Sequence, residues 1–428
     1  MNQFTASLWG DEGWAATLAI KPYLEIIRTV ARDTSPPLYY LCLHTWMKFF
    51  GTSEVAIRSL SFLFFLGTVV TVFFIAKHLW DKKTAILAAL LTLTNPFLFT
   101  YAFEGRMYAI LAFTSTLSIY FFLKKNRPGF ILATTTALYS HHFSIFIILW
   151  EAIWRLGENW GQPFKKLVKS FSDFFVIGLL YLPWLYPLYY QTSLVGSGFW
   201  LGKPTFLDLI GVIKKFLIGT GETRLEFFAL IAIVITLFLR RCWQEKKMTF
   251  FLTGWFLAPL IFTFLISQAF QPIFYDRYML MAIPAGSLLI ASLRRKPSII
   301  FIFLAIFLLG IINYGYFFQP TKRPFRQLAD FVKTEASDLV LINYNAGSHH
   351  LWESKYYGLE APIYAPTPLP FYTGTALMQT EDIISTLPDE EKIGAISSAP
   401  PEEVQIAGFE IEKSQKFDRL WFLWLKRE

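Results

Sequence analysis

The sequence predicts a mainly α-helical, polytopic membrane protein that ends in a small α/β domain outside the membrane. Three observations carry this. Of 428 residues, 54% are hydrophobic and only 16% charged, with a mean hydropathy of +0.42; an ordinary soluble chain of this length is less apolar and more charged. Apolar stretches close to the ~20 residues that cross a bilayer as helix recur along the chain. Charge is divided unevenly: residues 1–318 carry 28 Lys and Arg against 15 Asp and Glu, residues 319–428 carry 11 against 16. A basic excess confined to the apolar part points to membrane topology, and no nucleic-acid motif accompanies it. Cys42 and Cys242 supply neither a disulfide framework nor a metal motif.

Residues 1–52 read as an outer first loop, 53–318 as the transmembrane domain and 319–428 as a soluble extracytoplasmic domain. The first eight residues lack the basic and apolar regions of a signal peptide. Pro36-Pro37 blocks helix continuation, and 38–50 is a short aromatic helical run suited to the interface. Spans follow at 53–76, 84–101 and 107–123. The stretch 130–155 reads as one span with Ser140-His141-His142 at its middle, or as two short helices turning at the histidines. Only the second keeps Arg155, Lys165, Lys166 and Lys169 on the face of the earlier lysines, so the positive-inside rule favours a recessed hairpin. Further spans at 172–190, 225–240, 248–267, 278–293 and 298–316 bring the count to about ten. The basic loops at Lys82, Lys125, Lys166, Arg240-Arg241 with Lys246, and Arg294-Arg295 then share the cytoplasmic face. Asp11, Asp33, Glu104, His141, the 191–221 loop and Arg277 face outward. After Pro320, residues 325–336 read as an amphipathic helix, 338–344 and 393–397 as strands, and 409–417 with 420–425 as a closing strand pair. The proline-punctuated 362–370 stretch reads as a loop.

The polar constellations gather near the outer ends of the spans, where chemistry at a membrane face would put them. A proton relay or ion pathway would put them at mid-span. Asp11 is the candidate base. Its neighbour Glu12 is either a supporting carboxylate or only a helix N-terminal acid. Glu104 and Tyr108 share a helix face if that turn is helical, and Glu104 with Arg106 reads equally as a local ion pair. Arg277 and Tyr278 read as a phosphate contact or as interfacial anchors. His141 reads as a phosphate contact or as half of a satisfied turn pair. Asp33, Ser35 and Tyr39 are candidate supports. The carboxylates could hold a divalent metal, but no ligand set is convincing.

One reaction uses these groups together. A polyprenyl phosphate bearing a sugar has its phosphate at the interface and its tail in lipid. Arginines and a histidine can stabilise the charge growing on the leaving phosphate. A carboxylate on the far face of the sugar can deprotonate an acceptor hydroxyl and give inversion. The sugar and the acceptor (lipid, glycan or protein) are not legible. A lipid or small-molecule transporter and a noncatalytic membrane scaffold are the rival classes. The first would need charges along a pore, and the second would leave Asp11 and Glu104 replaceable.

The motifs Leu8-Trp9-x-Asp11-Glu12, Ser35-Pro36-Pro37-Leu38-Tyr39-Tyr40, Glu104-x-Arg106-Met107-Tyr108, Ser140-His141-His142-Phe143 and Arg277-Tyr278 occur in this order. Together they resemble the family 39 glycosyltransferases of the GT-C superfamily, which include protein O-mannosyltransferases and aminoarabinose transferases. The resemblance covers about residues 7 to 293. It implies that Asp11 matches the first-loop catalytic aspartate, Glu104 an acidic site residue, and His141 the polar residue near the donor phosphate. It implies a cell-envelope enzyme of the plasma membrane with its site facing outward. Many relatives have His-Pro-Pro where this chain has Ser35-Pro36-Pro37. The resemblance also implies a transmembrane helix before Trp9, making eleven spans, where this sequence has eight residues.

Overall fold

Apolar helices interrupted by polar turns build most of the chain, and a mixed sheet forms near its end. The computed structural model describes residues 1–220, 223–238, 246–293, 296–344 and 347–428. The helices in order are α1 (Gly10–Ala19), α2 (Tyr23–Ala31), α3 (Leu38–Phe50), α4 (Glu54–Leu79), α5 (Lys82–Leu93), α6 (Pro96–Tyr101) and α7 (Tyr108–Leu123). Then come α8 (Arg127–Ser140), α9 (Ile145–Glu158), α10 (Phe164–Ser170), α11 (Ser172–Tyr181), α12 (Leu185–Gly196) and α13 (Phe206–Ile218). Last are α14 (Arg224–Phe238), α15 (Lys246–Ala269), α16 (Ile283–Ala291), α17 (Lys296–Phe318), α18 (Phe325–Glu335) and α19 (Gly347–Tyr357). The strands are β1 (Val340–Asn343), β2 (Ile363–Tyr364), β3 (Ile383–Ile384), β4 (Lys392–Ser397), β5 (Phe409–Phe417) and β6 (Leu420–Arg427). Two compact units result: 1–34, 40–57 and 319–428 form one, and 35–39 with 58–318 form the other.

In the helical unit, α8 and α9 form the expected hairpin. Helix α8 stops because His141 is extended (φ −163°, ψ 136°), and a 3₁₀ turn over His142–Ser144 leads into α9. One straight helix would put residues 130 and 155 roughly 37 Å apart. Instead the Arg155 guanidinium lies 5.9 Å from the Phe130 ring centroid and 4.8 Å from that of Phe122. Asp173 clamps the open end, 2.6 Å from Arg127 Nε and 3.6 Å from Arg155 Nη1. Midway, Ser118 Oγ donates to Glu151 Oε1 (2.8 Å) and lies 2.7 Å from Thr134 Oγ1, joining α7, α8 and α9.

Several sequence expectations need correction. Residues 84–101 are not one helix: Asn95 caps α6 by accepting from the Leu98 N–H, and Pro96 starts the new helix. The 191–221 stretch is not all loop. It contains the end of α12 and then α13, which Thr205 and Asp208 start with a capping box. Residues 278–293 begin as a 3₁₀ segment over Asp276–Ala282, so the regular helix is only α16. Residues 102–107 turn without helix, so Glu104 and Tyr108 do not share a helix face. Arg240, Arg241, Cys242, Gly221, Arg294 and Arg295 lie outside the described residues. Among the described residues, three helices are long and apolar enough to cross a membrane: Glu54–Leu79, Lys246–Ala269 and Ser298–Phe318. A fourth span results if Phe164–Ser170 and Ser172–Gly196, bent by 44°, count as one.

The other unit holds the sheet, in the order β3-β2-β1-β4-β6-β5. The neighbours β3, β2, β1 and β4 run parallel, while β6 is antiparallel to β4 and to β5. Alternation sorts the side chains onto two faces. Leu341, Ile396 and Phe422 pack under α18 with Phe325, Leu328 and Val332. Ile342, Ala395 and Leu423 pack on the opposite face with Val404 and Ile406. Each fully buried large apolar side chain contributes roughly 1.5–3 kcal/mol. Helix α19 makes the β1-to-β2 crossover and also packs on α1. Glycines permit that approach: a Cβ on Gly13 would stand 2.6 Å from the Trp352 carbonyl oxygen, and one on Gly10 2.4 Å from His349 Nδ1.

Candidate active site

The candidate residues divide between the two units. Asp11, Glu12 and Asp33 belong to the unit that contains the sheet; Ser35, Tyr39, Glu104, Arg106, Tyr108, His141, Arg277 and Tyr278 belong to the helical unit.

In the helical unit, three chain breaks bring polar groups together. The turn after α6 carries Glu104 and Arg106, the break after α8 carries His141 and His142, and the 3₁₀ segment after α15 carries Asp276, Arg277 and Tyr278. Arg277 is their centre. Its Nη1 lies 4.0 Å from Glu104 Oε1, and both side chains are mostly buried. Its guanidinium sits 5.2 Å from the Tyr108 centroid, 4.8 Å from Tyr275 and 5.9 Å from Tyr278. Tyr108 and Tyr278 stack with their centroids 6.1 Å apart, and His141 stands 5.2 Å from Tyr278. The charges of both Arg106 and Arg277 act on His141. His141 Nδ1 accepts from the Phe143 N–H (3.1 Å), which leaves the ring proton on Nε2. Two guanidinium groups and an imidazole donor thus converge in an aromatic-walled, largely buried setting. Such a set suits a phosphate group.

The adjacent histidine has a different task. The extended backbone at His141 turns the two rings to opposite sides. His142 Nε2 lies 2.7 Å from Gln191 Oε1, and its Nδ1 lies 3.2 Å from the Tyr181 hydroxyl. Gln191 donates in turn to the Ser35 carbonyl (3.2 Å), so the Ser-Pro-Pro stretch is tied to the recessed turn. Tyr39 is buried, with its hydroxyl 3.3 Å from Ser61 Oγ. Asp276 holds the Arg277 segment in place: Oδ2 takes Lys215 Nζ at 2.6 Å and Oδ1 takes the Arg277 N–H at 2.7 Å. Sequence reading missed Lys215 and Gln191. A lysine pair inside the largely apolar 206–218 stretch was the available signal for the first. Gln191 carried none.

In the unit with the sheet, Asp11 is the second residue of α1 and half-exposed, while Glu12 is fully buried. Glu12 takes the Lys322 ammonium at 2.9 Å and lies 3.4 Å from the Trp9 N–H that it caps. Glu12 is therefore a helix N-terminal acid with a distant ion-pair partner. Asp33 lies in the turn after α2, its N–H donating to the Val30 carbonyl. The same unit holds two further groups that sequence reading missed. Glu353 is buried beside Arg323 and Glu12, and burial pushes its carboxyl up to about 8. His350 Nε2 lies 2.9 Å from Ser398 Oγ and 3.0 Å from Arg323 Nη1; burial with the Arg323 charge holds it down at about 3. Among the described residues, no group of three or more His, Cys, Asp or Glu is placed to hold a metal ion.

Comparison with known proteins supplies the context for these clusters. Residues 34–186 match the family profile described as dolichyl-phosphate-mannose-protein mannosyltransferase. A protein of Aquifex aeolicus (strain VF5), described as uncharacterized, is 26% identical over 313 residues, 71% of this chain and 70% of that protein. The crystal structure of ArnT from Cupriavidus metallidurans bound to undecaprenyl phosphate superposes with a TM-score of 0.61 at 13% identity, covering 98% of this chain and 94% of that one. The apo ArnT structure gives 0.54 at 12% identity with the same coverage. These identities establish a shared fold. The motifs, the family profile and the fold agree: this is an integral membrane protein that resembles the GT-C glycosyltransferases.

Proposed function

We propose that the protein is an inverting glycosyltransferase that moves a sugar from a polyprenyl-phosphate donor to a hydroxyl acceptor at the outer face of the plasma membrane. The observation that carries this reading is the convergence of Arg106, Arg277 and His141 with Glu104, Tyr108 and Tyr278. Arg106, Arg277 and the His141 Nε2–H hold the donor phosphate and stabilise the charge that develops as the glycosidic bond breaks. Glu104 orients Arg277, and the tyrosine faces restrict its guanidinium to one plane. Asp11 is the general base that takes the acceptor proton, a role assigned from the motif Trp9-x-Asp11-Glu12 and from its half-exposed carboxylate at a helix start. Asp33 and Ser35, in the turns after α2, and Tyr39, in the first turn of α3, are supporting residues. A lipid-phosphate donor also fits the undecaprenyl phosphate bound by ArnT, whose fold this chain shares. The reading includes the ten spans and the outward site expected from the basic loops.

The test is transfer by purified protein in bilayers, given polyprenyl-phosphate sugars and candidate acceptors. Asp11→Asn keeps the shape and loses the basic oxygen, so donor binding persists while transfer falls by about 10²–10⁴. Arg277→Ala instead weakens donor binding. Near-normal transfer by folded Asp11→Asn would remove Asp11 from the mechanism.

A further inference from the structure

The basic residues expected on the cytoplasmic face do not merely decorate loops. In the helical unit they close around a cavity of about 620 Å³. The end of α7, the start of α8, the end of α9 and α10 line it. Its acidic groups are already engaged: Asp173 by Arg127 and Arg155, Glu158 by Lys247 at 2.7 Å. Lys125, Lys166 and Lys169 also line it, and no carboxylate stands within ion-pair distance of any of them among the described residues. Six cations against two acids leave a net charge of +4.

Two further features shape the cavity, and the second points to a ligand. Lys125 sits at φ 54°, in the left-handed region that favours glycine. Asn126 and Lys125 N–H groups donate back to Phe121 and Phe122 and hold it there. These two bonds are the C-terminal cap of α7, and they fix where Lys125 leaves the helix beside the cavity. Helix α10 is two-sided. Lys166 and Lys169 line the cavity, while Phe164 and Val168, four residues apart, are 78% and 54% exposed, and Trp160 before them is 79% exposed. Exposed Trp and Phe beside lysines mark the membrane interface. Phe121, Phe122 and Phe130 supply an apolar wall.

We infer that this cavity binds the headgroup of an anionic glycerophospholipid, its phosphodiester among Lys125, Lys166 and Lys169 and its acyl chains beside the exposed face of α10. The site is distinct from the donor cluster. Tyr108 opens α7 at that cluster, and Phe122, near the other end of α7, lines the cavity, so roughly 21 Å of helix separates them.

Full-length protein in phosphatidylcholine nanodiscs, with phosphatidylglycerol titrated in and bound lipid counted by native mass spectrometry, tests this. We expect one saturable phosphatidylglycerol, preferred over phosphatidylcholine by at least about tenfold. Each Lys→Gln change at 125, 166 or 169 weakens it by about fivefold. Lys166→Arg restores it, and Lys83→Gln at the start of α5 leaves it unchanged. An unaltered thermal transition confirms that the variants fold. Equal loss in Lys83→Gln would mean diffuse surface charge and overturn the site. Displacement of the lipid by soluble glycerol 3-phosphate would mean a free-phosphate site and overturn the lipid assignment.

Discussion

Glu353 shows how one residue records its surroundings. Among the described residues neither carboxyl oxygen has a hydrogen-bond partner, and burial raises its pKa from 4.5 to about 8, with Arg323 opposing the shift and Glu12 adding to it. The folded state therefore holds a proton that the unfolded state releases between those two values. Stability contributed by this group is present below about pH 4.5 and is lost as pH rises towards 8. Glu353→Gln keeps the shape without the titration. Its unfolding midpoint should exceed that of the parent at pH 8 and match it at pH 5, measured by thermal shift. Equal displacement at both pH values would show that Glu353 does not titrate in this window. For Glu12, three residues from Trp9, a helix N-terminal acid was one of the two readings the sequence left open. Its partner Lys322 was not legible, because 310 positions separate them.

At the scale of elements, two contacts matter most. The hairpin of α8 and α9 was legible, since charge parity required a reversal at His141-His142. What parity could not supply is the clamp on Asp173 and the buried Ser118–Glu151 bond that hold the two arms. The packing of α19 on α1 was not legible, because α19 has no amphipathic stripe that announces it. Gly13 makes it possible. Gly13→Ala would press a methyl group against the Trp352 carbonyl and separate the helices, at a cost of about 1–3 kcal/mol. Gly157→Ala, in α9 with nothing near its Cβ among the described residues, should instead stabilise by up to about 1 kcal/mol through helix propensity. The two variants should move the thermal midpoint in opposite directions. Gly13→Ala should also lower transfer, because Asp11 rides on α1. A Gly13→Ala protein as stable as the parent would show that α1 and α19 can part freely.

For the whole molecule, the prediction concerns sidedness. The basic cavity and the phosphate cluster occupy opposite ends of α7, which suits a bundle with chemistry on one face and positive charge on the other. With Cys42 and Cys242 replaced, single cysteines at positions 125, 166 and 246 should react only with reagents that reach the cytoplasm. Cysteines at 197 and 202 should react from outside. Outside labelling at 125 and 246 would invert the topology and place the donor cluster on the cytoplasmic side.

Sequence alone determined the class of molecule. Composition, the spacing of apolar stretches and the asymmetry of Lys and Arg are local or additive properties, and they carried the membrane assignment, the hairpin and four strands of the C-terminal domain; the two-residue strands β2, inside the stretch read as a loop, and β3 are too short to show a pattern. The ordered motifs carried the glycosyltransferase resemblance. Only the tertiary structure decided which polar groups meet. Arg277 with Glu104, Gln191 with His142 and Ser35, and Lys215 with Asp276 are separated by 49 to 173 positions. It also joined residues 1–34 and 40–57 to 319–428 in one compact unit. The physical reason is that a side chain's type states what it can bind, whereas its partner is chosen by where helices break and how closely backbones approach. Those breaks lie at single residues such as His141 and Asn95, where a local preference is too weak to be read until packing has selected it.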